Sequence, residues 1–166
     1  MPEVNSEHKS MNIILRYIML LLTTFLYVKS ALSQNSKIIE WTQKYSGFSK
    51  NESFSLEDSS KILHYKNEGT WEDSMGNFGT QICFGLVLLK KSNDIISMEL
   101  YCEARDQDDH KYITRVTRNS SLEAGVGEYT LIDGNGKWQK AINSKCRYGI
   151  KFKEAALFVN SKCKSR

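Results

Sequence analysis

Between Lys61 and Cys163 the chain falls into short apolar runs rich in Ile, Val, Leu, Tyr and Phe, separated by clusters of Asn, Asp, Ser and Gly. Runs of this kind predict β-strands, placed at about 61–66, 69–74, 80–91, 95–105, 111–118, 127–133, 137–143, 145–153 and 156–163. Sequential strands on short connections, with no crossover helix between them, imply an antiparallel meander. Closing roughly eight such strands into a barrel removes the exposed edges. Gly134-Asn135-Gly136 reads as the turn joining the 127–133 and 137–143 strands, and Trp138 then plugs one barrel end or lines its interior. Upstream, Ile38, Ile39, Trp41 and Tyr45 are spaced near a helical repeat. Residues 34–60 are therefore expected to form a short helix and a loop, ahead of a barrel domain at 61–166.

Strand register bears on the four cysteines. If Ser92-Asn93 is a two-residue hairpin loop, Cys83 lies opposite Cys102, followed by Gly85/Leu100, Val87/Met98 and Leu89/Ile96 on one apolar face. The other face, with Phe84/Tyr101, Leu86/Glu99 and Leu88/Ser97, is mixed. A turn centred on Glu154-Ala155 likewise sets Cys146 opposite Cys163, with Tyr148/Ser161, Ile150/Val159 and Phe152/Leu157 on the same face. Directly opposed side chains are close enough to bridge. The expected disulfides are Cys83–Cys102 and Cys146–Cys163. Pairing between the two hairpins is the competing arrangement. No Cys-x-x-Cys pair supports a zinc site.

The N-terminal pattern changes the picture. Met11 to Arg16 is a basic start, Tyr17 to Val28 is an apolar run, and Ala31-Leu32-Ser33 is a small-x-small ending. This is the pattern of a secretory signal at residues 1–33, with residues 1–10 an extra extension if initiation is at Met11. The apolar stretch is shorter than the roughly 20 residues of a spanning helix, so no stable membrane span is expected after cleavage. Export to a secreted or periplasmic location favours disulfides. Residues 1–33 hold three basic and two acidic side chains of the 23 and 19 in the whole chain, leaving 20 and 17, a net of +3. Both signs are interspersed, which gives nucleic-acid binding no support. Asn51-Glu52-Ser53 and Asn119-Ser120-Ser121 match the glycosylation acceptor triplet.

Candidate chemistry is sparse. Asp106-Gln107-Asp108-Asp109-His110 is the densest polar cluster, but it lacks the glycine and glutamate positions of a calcium loop and reads as a solvated hairpin loop. The glycines at 125, 127, 134 and 136 precede strand-like segments. A dinucleotide loop would need a helix there, so they fit turns and bulges better. No catalytic residue, metal site or cofactor is assigned.

The run Gly125-Val126-Gly127-Glu128-Tyr129, Gly134-Asn135-Gly136-Lys137-Trp138 and Cys146-Arg147-Tyr148 resembles the strand-turn-strand pattern of small secreted barrels. These are the allene oxide cyclase and dirigent type, the lipocalin-like barrels, and uncharacterised bacterial exported proteins. The resemblance implies an eight-stranded barrel whose interior can hold an apolar ligand. The expected function is thus an exported, non-enzymatic barrel taking a small apolar or amphipathic ligand. Its expected inward set is Val87, Leu89, Ile96, Met98, Leu100, Trp138, Tyr148, Ile150, Phe152, Leu157 and Val159. The same residues could instead fill the barrel as plain core. Two other readings stay open: a protein-interaction or inhibitor module acting through exposed loops, and a cyclase or isomerase using an inward His64, Tyr129 or Tyr148.

Overall fold

The structure is a computed structural model and describes residues 38–118 and 124–165. Eight antiparallel strands follow one another: β1 (Glu40–Ser55), β2 (Lys61–Asp73), β3 (Phe78–Leu89), β4 (Ile95–Asp106), β5 (Lys111–Thr117), β6 (Ala124–Gly134), β7 (Lys145–Lys153) and β8 (Ala156–Lys164). Each pairs with the next, and β8 returns to pair with β1 from Glu40↔Lys164 to Phe48↔Ala156, closing the barrel. The signal segment 1–33 and the triplet at Asn119 lie outside the described residues. Among the described residues no helix is long and apolar enough to cross a membrane.

Both expected disulfides are present, Cys83–Cys102 and Cys146–Cys163, each with Cα atoms 4.0 Å apart. Each joins directly opposed residues of one hairpin. The β7–β8 register runs as expected through Phe152↔Leu157, across a two-residue turn in which Glu154 takes φ 57°.

Four expectations are corrected. The first is the N-terminal helix. Residues 40–55 form a strand, whose inward positions are Trp41, Gln43, Tyr45 and Gly47. Two of those four are not apolar, so a period of two was hidden, while Ile38 and Ile39, which suggested a helix, are exposed. The second is the pair of strands at 61–66 and 69–74, which are one strand, β2, running through Asn67 and Gly69. The third is the strand at 137–143. Gly136–Ala141 is instead a 3-10 helix, η1, entered through Gly136 at φ 53°. The fourth is the Ser92-Asn93 loop. The register shifts between Leu88 and Leu89, so that Leu89 faces Ile95. Lys90 N–H donates to Asp94 O, Asn93 N–H donates to Lys90 O, and Asn93 takes φ 65°. The extra residue turns Ile95 into the core, 5% exposed, and Ile96 out to solvent, 47% exposed.

One barrel end is closed by η1, which sits in the β6–β7 connection. Trp138 is buried there, with ring centroids 5.7 Å from Trp71 and 4.5 Å from Tyr112. Its Nε1–H donates to Asp106 Oδ2 at 2.8 Å. The other Asp106 oxygen accepts from the backbone N–H groups of Asp108 and His110. Lys137 Nζ lies 3.1 Å from Asp106 and 2.9 Å from Asp108. Burial works to raise the Asp106 pKa, but the hydrogen bonds from Lys137, Trp138 and the backbone outweigh it, and the net shift is downward. Asp106, Asp108 and His110 could have converged on a cation. The ammonium of Lys137 already sits on two of those carboxylates, so the cluster works as a lock on the end plug.

Candidate functional site

A cavity of about 80 Å³ lies in the middle of the barrel, between the aromatic plug and the opposite end. Strand alternation builds it, because the lining residues that belong to strands occupy inward register positions. Its apolar wall includes Val87, Met98 and Leu100 from β3 and β4, Val116 from β5, and Ile150, Phe152, Leu157 and Val159 from β7 and β8. The polar lining is unexpectedly rich: Gln43, Tyr45, Tyr65, Asn67, Gln81, Thr114, Arg118, Tyr129, Tyr148 and Ser161. The disulfide Cys83–Cys102 also faces it. Gly127 leaves room for the Tyr148 ring, since a Cβ there would lie 2.5 Å from ring atoms of Tyr148.

Several of these polar atoms are paired, as buried groups should be. Gln43 Nε2–H donates to Tyr112 Oη at 2.9 Å, and Tyr129 O–H donates to Gln43 Oε1 at 3.2 Å. Tyr45 O–H donates to Asn67 Oδ1 at 2.6 Å. Desolvation raises the pKa of Tyr45, Tyr65, Tyr112 and Tyr129, and pushes that of Tyr148 up to about 12. All five hydroxyls therefore stay protonated at neutral pH. They can donate and accept hydrogen bonds, but none is poised to act as a base.

The tyrosines make a pH prediction. A pKa raised in the folded state favours the protonated form, so their contribution is complete below the ordinary value of 10 and is lost as pH rises through the folded values. For Tyr148 alone the shift is worth roughly 2–3 kcal/mol, at about 1.4 kcal/mol per unit. The barrel should unfold cooperatively above pH 10, with tyrosinate absorbance and loss of circular dichroism rising together, and Tyr148→Phe should shift that transition to higher pH. Ionisation of all tyrosines near pH 10 with the fold intact would contradict this.

The cavity approaches the surface beside β5, the shortest strand. β5 ends at Thr117, whereas β4 and β6 run on past it. The resulting notch of about 490 Å³ is lined by Ile96, Ser97, Met98, Thr117, Arg118, Val126, Gly127, Glu128 and Arg147. Met98 and Arg118 line both spaces and so mark the junction. Arg118 is only 6% exposed. Desolvation lowers its pKa, and the Tyr148 and Tyr65 hydroxyls work against that shift.

Of the eleven expected inward residues, Val87, Met98, Leu100, Tyr148, Ile150, Phe152, Leu157 and Val159 line the cavity. Leu89 is buried beside it in a cluster with Leu63, Val87 and Ile95. Trp138 belongs to the plug. Ile96 is outside the barrel and touches only the notch. His64, one of the three groups named for an enzyme, is exposed on the outer face, opposite Leu86, while Tyr129 and Tyr148 point inward. The polar half of the lining was missed, Arg118 above all. One signal could have found it: the β5 alternation Tyr112-x-Thr114-x-Val116-x-Arg118 carries the inward face straight to the guanidinium.

The outer wall is not uniformly polar. Phe84, Leu86 and Tyr101 form an exposed cluster on β3 and β4. A comparison with protein-family models finds no match for this chain, and a comparison with curated proteins finds none either.

Proposed function

We propose that this protein is an exported, non-enzymatic β-barrel that binds a small amphipathic molecule, with the apolar part in the cavity and the polar part at the notch. The observation that carries the reading is adjacency: an apolar-walled interior space and a more polar surface notch lie on either side of Met98 and Arg118. Ligand sites commonly combine an apolar lining with a few placed polar groups. The interior space, about 80 Å³, is small, roughly half the ~150 Å³ of an apolar cavity that takes benzene. It suits the end of a short chain rather than a fused-ring lipid. Met98, unbranched and half-buried, is the side chain best able to give way.

Among the described residues that line the cavity there is no carboxylate, histidine or lysine. The tyrosines that line it are held protonated by burial, so these residues offer no general base near neutral pH, and binding is favoured over a cyclase or isomerase. Export fits two formed disulfides. Kinship with the lipocalin-like and dirigent-type barrels belongs to the same proposal.

Native mass spectrometry of protein recovered from its exported form is the direct test. The expected result is a population carrying a bound small molecule, which Val159→Phe, a filling substitution on the cavity wall, removes while leaving circular dichroism unchanged. Protein that is ligand-free both as recovered and after incubation with short amphiphiles would refute the reading.

A further inference from the structure

We propose that the outer face of β3 is the interface of a symmetric homodimer, two barrels packing face to face about a two-fold axis that runs along that strand. The proposal is independent of what the cavity holds.

β3 is apolar on both faces. Its inward side gives the core Cys83, Val87 and Leu89. Its outward side carries Ile82, Phe84, Leu86 and Leu88 in unbroken alternation. Tyr101 of β4 stands opposite Phe84, and Ile62 of β2 stands opposite Leu88, with Phe54 of β1 beyond it. A strand with one solvated face ordinarily alternates apolar and polar residues, so this outer row is surplus to what the fold requires. Phe84, Leu86 and Tyr101 are 52%, 60% and 40% exposed. A large side chain presents roughly 200 Å², so each of the three leaves about 100 Å² in water and the whole face leaves on the order of 500 Å² per copy. Two such faces together reach the roughly 1,000 Å² that a specific interface needs, before the rim is counted.

Charge selects the partner. Three ion pairs edge the face: Lys66–Glu68 at 3.5 Å, Arg105–Glu103 at 3.0 Å and Arg115–Glu99 at 2.8 Å. The rim is thus balanced, where an anionic membrane surface would call for an excess of Lys and Arg. An apolar centre inside a polar rim is the anatomy of a protein interface. A two-fold axis permits no slide along itself, so residues keep their level and β2 of each copy lies over β4 of the other. Leu86 then meets its own counterpart at the axis. Beside it His64 faces Glu99, and Lys66 faces Tyr101, whose hydroxyl donates to Glu99. Glu68 comes to lie over Glu103, which Arg105 and Lys111 already hold. An axis across the strands would instead set β2 on β2 and bring Lys66 and His64 toward their own copies.

Sedimentation velocity of the full-length exported protein tests this. Between about 1 and 100 μM it should show a reversible monomer–dimer equilibrium. Leu86→Glu sets a carboxylate against its own copy and should weaken association roughly 30-fold or more, as for loss of a central hot spot. Circular dichroism should not change. Ile132→Glu, at an exposed apolar position three strands away on β6, should leave association as it was. If Leu86→Glu does not fold, Phe84→Ser carries the same expectation of weakened association. A monomer throughout the range would overturn the proposal. So would a dimer that survives Leu86→Glu in a folded variant, or one that Ile132→Glu abolishes equally. A monomer that floats with phosphatidylcholine vesicles, and loses that property in Leu86→Glu, would make the face a lipid contact and the dimer wrong.

Discussion

Removing either disulfide by paired Cys→Ala substitution should lower stability by about 3 kcal/mol. The closed loops, with sequence separations of 19 and 17, are long enough for cross-linking to restrict the unfolded chain by that amount. Removing both should cost about 6 kcal/mol, a large share of the roughly 5–15 kcal/mol by which small domains are stable. Urea titrations should show the midpoint falling in two similar steps. All four cysteines are buried. Dithiothreitol should therefore leave the native barrel oxidised and reduce it only once denaturant opens it, which thiol trapping would reveal. A doubly substituted barrel with an unchanged midpoint would show that the bridges are dispensable.

The second large effect concerns the plug. Trp138→Ala should destabilise by about 3–5 kcal/mol, the range for truncating a buried aromatic. The indole contacts two aromatic rings and supplies one of the hydrogen bonds to the buried Asp106 carboxylate. For a domain of this size the melting temperature should drop by roughly 10–20 °C. Trp138→Phe separates the contributions, since it keeps most of the packing and deletes the N–H. Its loss should be smaller, about 1.5–3 kcal/mol, the usual worth of a hydrogen bond to a charged group. An alanine variant as stable as the parent would mean that η1 merely rests on the barrel.

These two features were not equally legible. The cysteine pairing followed from hairpin centres, because period-two strands with short loops leave little freedom in register. The pairing does not depend on the form of the Ser92-Asn93 loop, since the shift at Leu88/Leu89 lies between the cysteines and the turn and displaces only Ile95 and Ile96. What failed was hydrophobicity as a marker of inward position. Gln43, Asn67 and Arg118 face inward because neighbouring polar groups or the notch accommodate them, a tertiary fact with no local signature. Lys137 to Asn143 has the composition of a strand, whereas Gly136 at positive φ starts a helical turn that delivers the Trp138 indole to Asp106. Half of the site, its apolar wall, could be read from the chain. The polar half needed the barrel to close.

The placement of the two bridges has a mechanical corollary. Each ties a strand to its immediate successor, so β3–β4 and β7–β8 are covalently fastened, while the seam between β1 and β8 is held by nine residue pairs and no covalent bond. Beyond Phe48, β1 leaves β8 and continues only along β2. Under force, the barrel would unzip from that seam with both hairpins still locked. A single-molecule pulling trace should then show extension from the N-terminal strands first, and full extension of the bridged hairpins only after reduction.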